Sequence, residues 1–294
     1  MNSAVRSGAR SAGVSVTVLL LLALGLAPAL AADYTGPLID AHSHVSSATV
    51  IDSYAAAMKR HNVLKVVLLG VGGVQKEDAA WIAAAAKKYP DLVLAGVPVP
   101  DPTSEGQAAR LDAALRAGGR ALGEVHIRQV SRKIDRNPGD PAFGKILDVA
   151  AMHKVPVVIH DELDEAAAAA LAGALASHRS ATIILAHGGG GTPARLDALL
   201  GKHPNLLVDL SGMHFQRTPA LAPEKGPLDP AWKALIEKHP DRFLMGVDVW
   251  AARLFEPAQL DRLFAWTRRV LGELKPEVAE RVAHRNARAV FRIE

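Results

Sequence analysis

From Leu38 onward the chain alternates short apolar, β-branched runs with Ala/Leu-rich stretches of helical period, and it does so eight times. That repeat is the signature of β-α units feeding a parallel sheet. The expected strands are 38–42, 64–70, 93–97, 121–126, 155–160, 182–186, 205–210 and 243–248. The expected helices are 50–61, 76–89, 105–117, 143–153, 165–178, 193–203, 230–239 and 257–274. Eight units in this length favour closure over an open sheet, because closure removes both edges and eight strands fill their own interior. The sequence therefore predicts an α/β fold, a (β/α)8 TIM barrel, with an additional C-terminal helix from Pro276 to Phe291.

Three helix ends share one solution: Lys88-Tyr89-Pro90-Asp91, Lys202-His203-Pro204-Asn205 and Lys238-His239-Pro240-Asp241 each precede an apolar strand. A cation suits the negative helix end, and proline forbids continuation. His203 and His239 are explained by this helix-end role, and His61, His153 and His178 end helices in the same way.

Residues 1–31 differ from the rest. Arg6 and Arg10 precede the apolar run Val14 to Leu26, and Pro28-Ala29-Leu30-Ala31 supplies an Ala-x-Ala cleavage site. This is the layout of a signal peptide, which predicts a periplasmic or secreted protein made of residues 32–294. An uncleaved anchor is the alternative, since Val14 to Ala32 just reaches across roughly 30 Å of bilayer. Cleavage would leave no stable membrane insertion, because no second apolar stretch of that length follows. Without Arg6 and Arg10 the excess of basic over acidic side chains falls from four to two. With aromatics at 4% and no Lys/Arg run longer than two, the chain lacks the charged stripe and stacking platform of a nucleic-acid binder. Self-association is left open.

The absence of cysteine removes disulfides, thiolate metal sites and Cys nucleophiles together. Any metal must be held by His, Asp or Glu. In a barrel, chemistry sits at the C-terminal ends of the strands, and five of the expected strands end in suitable groups. The first ends Asp40-Ala41-His42-Ser43-His44, whose spacing of two puts both imidazoles on one face of an extended chain. His160, His187 and Asp248 each follow an apolar run at the ends of the fifth, sixth and eighth strands. Singly, each reads first as a capped or satisfied core polar group. Together, four imidazoles and a carboxylate at one mouth would repel if charged and be costly if buried unpartnered, and a divalent cation resolves both.

The fourth strand turns Glu124, His126 and Arg128 the same way. Glu124 could bridge a second metal or orient a ligand histidine. His126 and Arg128 face the expected substrate space, where Arg128 suits a carboxylate or phosphate and reads equally as a solvated rim arginine. Ser211 to Pro230, with Gly212, His214, Phe215, Arg217 and four prolines, is the longest loop at that end, and His214 and Trp250 are placed to touch substrate. The run Gly188 to Gly191 lacks the Lys-Ser/Thr of a phosphate loop and reads as close backbone approach before a helix capped by Thr192.

These stretches resemble the amidohydrolase superfamily, in particular its amidohydrolase-related branch of metal-dependent hydrolases, over nearly the whole of residues 32–294. The closing Arg285-Asn286-Ala287-Arg288-Ala289-Val290-Phe291 looks like that family's C-terminal helix. The resemblance implies that His42, His44, His160 and Asp248 hold the catalytic metal, and that His187 binds a second metal or assists proton transfer. Binuclear members often carry a bridging lysine on the fourth strand, and Glu124 stands there instead, as in the TatD-like deoxyribonucleases. The expected cofactor is one or two divalent ions, zinc first. The expected activity is metal-assisted hydrolysis of a small ester, lactone, amide or phosphoester, with Asp248 shuttling the proton and His187 assisting. A metal-dependent non-oxidative decarboxylase of aromatic acids is the alternative, and a metal-binding barrel without turnover is a third reading.

Overall fold

The computed structural model describes Met1 and residues 32–294, so the leader expected over residues 1–31 lies, Met1 apart, outside the described residues. The elements are β1 (Leu38–Ser43), α1 (Ile51–Arg60), β2 (Val63–Leu68), α2 (Asp78–Lys88), β3 (Val93–Val97), α3 (Gln107–Arg116), β4 (Ala121–Gln129) and β5 (Ile134–Asp135). There follow α4 (Pro141–His153), β6 (Val157–Asp161), α5 (Glu165–Ser177), β7 (Ile183–Leu185), α6 (Pro193–Lys202), β8 (Leu206–Asp209), α7 (Pro230–Lys238) and β9 (Phe243–Leu244). The chain ends in α8 (Pro257–Gly272), α9 (Pro276–Glu280) and α10 (Asn286–Phe291).

Eight strands run parallel in the order β1-β2-β3-β4-β6-β7-β8-β9, and β5 is a two-residue arm folded antiparallel onto β4. The last gap is closed by backbone hydrogen bonds rather than a regular ladder. Ala41 N–H donates to the Met245 carbonyl (2.9 Å), Asp248 N–H to His42 (2.8 Å) and His44 N–H to Val249 (2.8 Å). The result is the expected TIM barrel with its C-terminal helical extension.

Two apolar layers divide the core. Between strands and helices lies a large shell that includes Tyr54, Phe143, Leu171, Phe243 and Phe264. Inside the barrel lie Ile39, Ala41, Val67, Val158, Ile184 and Leu244, and the same cluster contains Ala287 and Phe291 of α10. The C-terminal helix thus plugs the barrel floor.

The sequence places that extension as one helix, 276–291. The structure inserts a wide π turn, Arg281–Arg285, between α9 and α10. Its Val282 carbonyl accepts from Met245 N–H (3.0 Å), and Asn286 Nδ2 donates to the carbonyls of Pro240 and Phe243 (2.8 Å each). The same contact explains why the eighth strand is shorter than expected: Met245 N–H is spent on the helix, and Val247 N–H on the Asp40 carboxylate (2.8 Å). Other differences are local. The second helix starts at Asp78 rather than Lys76, and Asp78 Oδ2 accepts from Val71 N–H (2.7 Å) in the preceding turn. The third starts after Gly106, whose φ of +74° stops a helix from beginning at Glu105.

Candidate active site

The barrel brings His42, His44, Glu124, His126, His160, His187 and Asp248 to one mouth, all buried but His187, which is partly so. The extended β1 turns His42 and His44 inward together, with ring centroids 5.0 Å apart. Just past β2 the chain reaches across to β4, Gly70 N–H donating to the Gly123 carbonyl and Glu124 N–H to the Gly70 carbonyl (2.9 Å each). That pairing draws Glu124 to the centre, and the β4–β6 register sets His126 beside His160. His187 sits just past β7 at φ +57°, and Asp248 past β9 at φ +60°. For side-chain-bearing residues this left-handed backbone is uncommon and concentrates at functional sites.

Three of the imidazoles have an outward oxygen partner at 2.9 Å, whereas His126 Nδ1 is buried without one. A carboxylate or carbonyl can only accept, so His42 Nδ1–H donates to Asp209 Oδ2 (2.9 Å), His44 Nδ1–H to the Leu69 carbonyl (2.9 Å) and His187 Nδ1–H to the Ser211 carbonyl (2.9 Å). The Nε2 atoms of these three rings therefore face inward. Those of His42 and His44 stand 3.2 Å apart, two lone pairs that need a proton or a cation between them.

Glu124 divides the cluster. Its Oε1 lies 3.0 Å from His160 Nδ1 and 3.2 Å from His187 Nε2, and its Oε2 lies 3.1 Å from His126 Nε2, 3.8 Å from His44 Nε2 and 3.9 Å from His42 Nε2. Asp248 Oδ1 is 3.3 Å from His44 Nε2, and its Oδ2 meets the Arg217 guanidinium and lies 3.9 Å from His187 Nδ1.

Burial alone would raise the carboxyls of Glu124, Asp209 and Asp248, yet all three are held below their ordinary range. Hydrogen bonds from His126, His160 and His187 reverse it at Glu124, the charge and hydrogen bond of His42 at Asp209, and the His187 charge with the His44 hydrogen bond at Asp248. Conversely, burial would lower His187, but Asp248 and Glu124 push it up to about 9, and His44 is raised by Asp248 in the same way. A buried surplus of negative charge thus collects positive charge onto the imidazoles.

The donor set fits divalent metal. Ligand atoms of His42, His187 and Asp248, of His42, His44 and Glu124, and of Glu124, His160 and His187 lie within 4.8 Å of one another in each set. Imidazole and carboxylate at this density, with outward partners fixing the rings of His42, His44 and His187, are the chemistry of divalent-metal centres.

A cavity of about 380 Å³ opens beside the cluster, walled by Arg128, His160, Glu162, His187, Gly212 and Arg217 among others. Trp250, His126 and Arg217 edge the smaller cleft directly over the donors. Arg128 reaches the larger cavity, but its guanidinium is engaged by Asp164 Oδ2 (2.8 Å) and the Glu162 carbonyl. His214 is buried against Phe215, away from the walls of both spaces, and burial holds it down at about 4.

Three residues escape the sequence reading of the site. Asp209 follows the run Leu206-Leu207-Val208 and carried the same strand-end signal as the assigned ligands. Glu162, whose Oε1 lies 3.4 Å from His160 Nε2, and Arg217, on Asp248, carried none, since both arrive through loop packing. Asp40, beneath the cluster, ties β1 to the eighth strand and accepts from Tyr54, Ser43 and the N–H groups of His42 and Val247.

Known proteins bear the fold out. A dihydroxybenzoic acid decarboxylase from Polaromonas, solved with bound manganese and an inhibitor, is 16% identical with a TM-score of 0.61, covering 88% of this chain and 97% of its own. 4-Oxalomesaconate hydratase from Rhodopseudomonas palustris is 14% identical with a TM-score of 0.62, over 87% of this chain and 95% of its own. An amidohydrolase from Burkholderia multivorans with bound zinc is 16% identical with a TM-score of 0.57, over 88% of this chain and 100% of its own. A comparison with curated proteins gives no match. The amidohydrolase family model matches residues 39–293, which is the whole barrel together with its helical floor. On that extent of agreement, this chain belongs to the amidohydrolase family of metal-dependent enzymes.

Proposed function

We propose that the protein is an exported hydrolase of a small ester, lactone, amide or phosphoester, working with one or two divalent cations, zinc first. The observation that carries this reading is the position of Asp248. It is an ionised, buried carboxylate that touches the donor cluster through His44 and borders the cleft over it, between His187 and Arg217. A cavity of about 380 Å³ suits a small molecule.

His42, His44 and Asp248 would hold metal on one side of Glu124, and His160 and His187 on the other, with one glutamate oxygen turned to each side. A cation bound there supplies Lewis acidity and lowers the pKa of its water toward about 7. The Asp248 carboxylate accepts the proton of the attacking water and returns it to the leaving group. His187, its Nδ1–H committed to Ser211, turns Nε2 to the same space: it would be a ligand where a second cation is bound, and where none is, the protonated ring donates Nε2–H to the developing oxyanion. Arg217 keeps Asp248 turned toward the cleft, and Trp250, His126 and Arg128 bound the substrate. Export rests on the leader read in residues 1–31.

Decarboxylation of an aromatic acid is the second reading. A similar fold carries the Polaromonas decarboxylase, and two guanidinium groups, Arg128 and Arg217, line the cavity beside His187, where a substrate carboxylate would share them with Asp164 and Asp248. One experiment separates the two: metal-loaded protein is given a panel of lactones, esters and phosphoesters, and aromatic acids with carbon dioxide detection. Hydrolysis supports the first reading, and gas release without hydrolysis replaces it with the second. Stoichiometric metal with neither activity would favour a binding protein.

A further inference from the structure

Three of the four histidines on the expected metal side use one arrangement: Nδ1–H points outward to an oxygen and Nε2 points inward. His160 is reversed. Its Nδ1 is the atom 3.0 Å from Glu124 Oε1, and its Nε2 points away to Glu162 Oε1 at 3.4 Å. An imidazole presents a lone pair at Nδ1 only if the proton sits on Nε2, so something on the outer side must hold that proton.

We propose that Glu162 is the positioning residue for His160: its carboxylate accepts Nε2–H, fixes the ring, and leaves Nδ1 free to ligate. The proposal rests on the reading of His160 as a metal ligand. It extends to the histidine of β6 the role that Asp209 plays for His42.

The surroundings of Glu162 suit that task. Its own N–H donates to the Arg128 carbonyl (3.1 Å), and its carbonyl accepts from the Arg128 guanidinium. Its other carboxylate oxygen, Oε2, accepts from Val130 N–H (3.0 Å). Arg128 is anchored in turn by Asp164, which caps α5 by accepting from Ala167 N–H (2.9 Å). Backbone and side chain of Glu162 are thus gripped by the end of β4 while Oε1 is left to face His160. This gives Arg128 a structural task as well: it holds the peptide that carries the carboxylate.

Glu162 differs from the other outward partners in its exposure. Asp209 is sealed in the core, whereas the Glu162 side chain is 35% exposed and lines the 380 Å³ cavity. Whatever occupies that cavity meets the group that orients a ligand.

The test is Co²⁺ binding to the full chain, measured by competition with a chelator and by the visible spectrum of the bound ion, for wild type, Glu162→Met, Glu162→Gln and His160→Ala. Glu162→Met should bind Co²⁺ about 10–100-fold more weakly with an altered spectrum. Glu162→Gln, whose amide oxygen still accepts from Nε2–H, should recover most of that loss. Wild-type affinity and spectrum in Glu162→Met, with His160→Ala strongly weakened, would overturn the proposal while leaving His160 a ligand. Wild-type behaviour in His160→Ala would overturn the ligand reading and the proposal together. Should Glu162→Met fail to fold, histidine ¹H–¹⁵N spectra of zinc-loaded wild type decide: a proton on His160 Nε2 supports the proposal, and one on Nδ1 overturns it.

Discussion

His42 Nε2 and His44 Nε2 confront each other at 3.2 Å, while their opposite nitrogens are committed to the Asp209 carboxylate and the Leu69 carbonyl. Neither ring can turn away without abandoning a buried hydrogen bond, so the pair is held ready for positive charge. The consequence falls first on Asp209. Asp209→Ala should weaken zinc or manganese binding by about 10–100-fold, because no acceptor is left to fix the His42 tautomer. Chelator competition followed by elemental analysis measures this, and unchanged affinity would remove Asp209 from the centre.

Asp248→Asn should cut turnover by about 10²–10⁴-fold while the circular dichroism spectrum and melting behaviour stay close to wild type. The side chain keeps its volume and loses its basicity. Activity near the wild-type level in a folded, metal-loaded variant would contradict the proton-shuttle role.

Gly212 is placed where no side chain fits. A Cβ there would lie 2.7 Å from Asp248 Oδ2, 2.8 Å from Arg217 Nη1 and 3.0 Å from His187 Nδ1, and its φ is +64°. Gly212→Ala should therefore lose about 1–3 kcal/mol of stability from backbone strain and displace all three partners. A drop in kcat accompanied by a lower denaturation midpoint is expected, and a variant indistinguishable from wild type would show the loop to be loose.

His214 supplies a pH dependence. Burial lowers it from 6.5 to about 4, with Arg217 adding to the effect, so below pH 6.5 the unfolded chain takes up a proton that the fold refuses. Its contribution is complete above pH 6.5 and is lost as pH falls toward 4, by about 2 kcal/mol between pH 7 and pH 5. Urea denaturation at those two values should show a smaller pH effect in His214→Asn than in wild type. An equal effect would assign the dependence elsewhere.

The helix-end histidines should tolerate change. His61, His153, His178 and His239 each meet an aspartate of a neighbouring helix, Asp261, Asp112, Asp148 and Asp197, at 2.6–3.0 Å. His239→Ala should leave kcat untouched and shift stability by less than about 1 kcal/mol, as partly exposed ion pairs do. A severe catalytic loss would overturn the helix-end reading.

The barrel was legible because each β-α unit announces itself locally, through β-branched runs, Ala/Leu periodicity and proline stops. His42, His44, His160, His187 and Asp248 were legible for a related reason: a polar residue ending an apolar strand has only one place to go in a barrel, and the structure brings all five to one mouth. What escaped depends on partners far along the chain. Glu162 acquires its role from the grip of Arg128 and Val130, and Arg217 reaches Asp248 only because its loop folds back over the barrel. The arm Ile134–Asp135 and the π turn at Arg281–Arg285 are set by pairing with β4 and with Met245, which no local pattern encodes. His214 shows the converse, a residue whose position in a loop suggested contact with substrate and whose side chain turned inward to pack.

The plug formed by Ala287 and Phe291 comes from chain that follows every strand it supports. The base of the cylinder can therefore close only after that chain has been made. Water can reach the underside of Ile39 and Leu244 until then, and the segment bearing Asp248 lacks the anchor that Val282 gives to Met245. The mouth and the opposite end of the barrel thus lean on the same last stretch of chain.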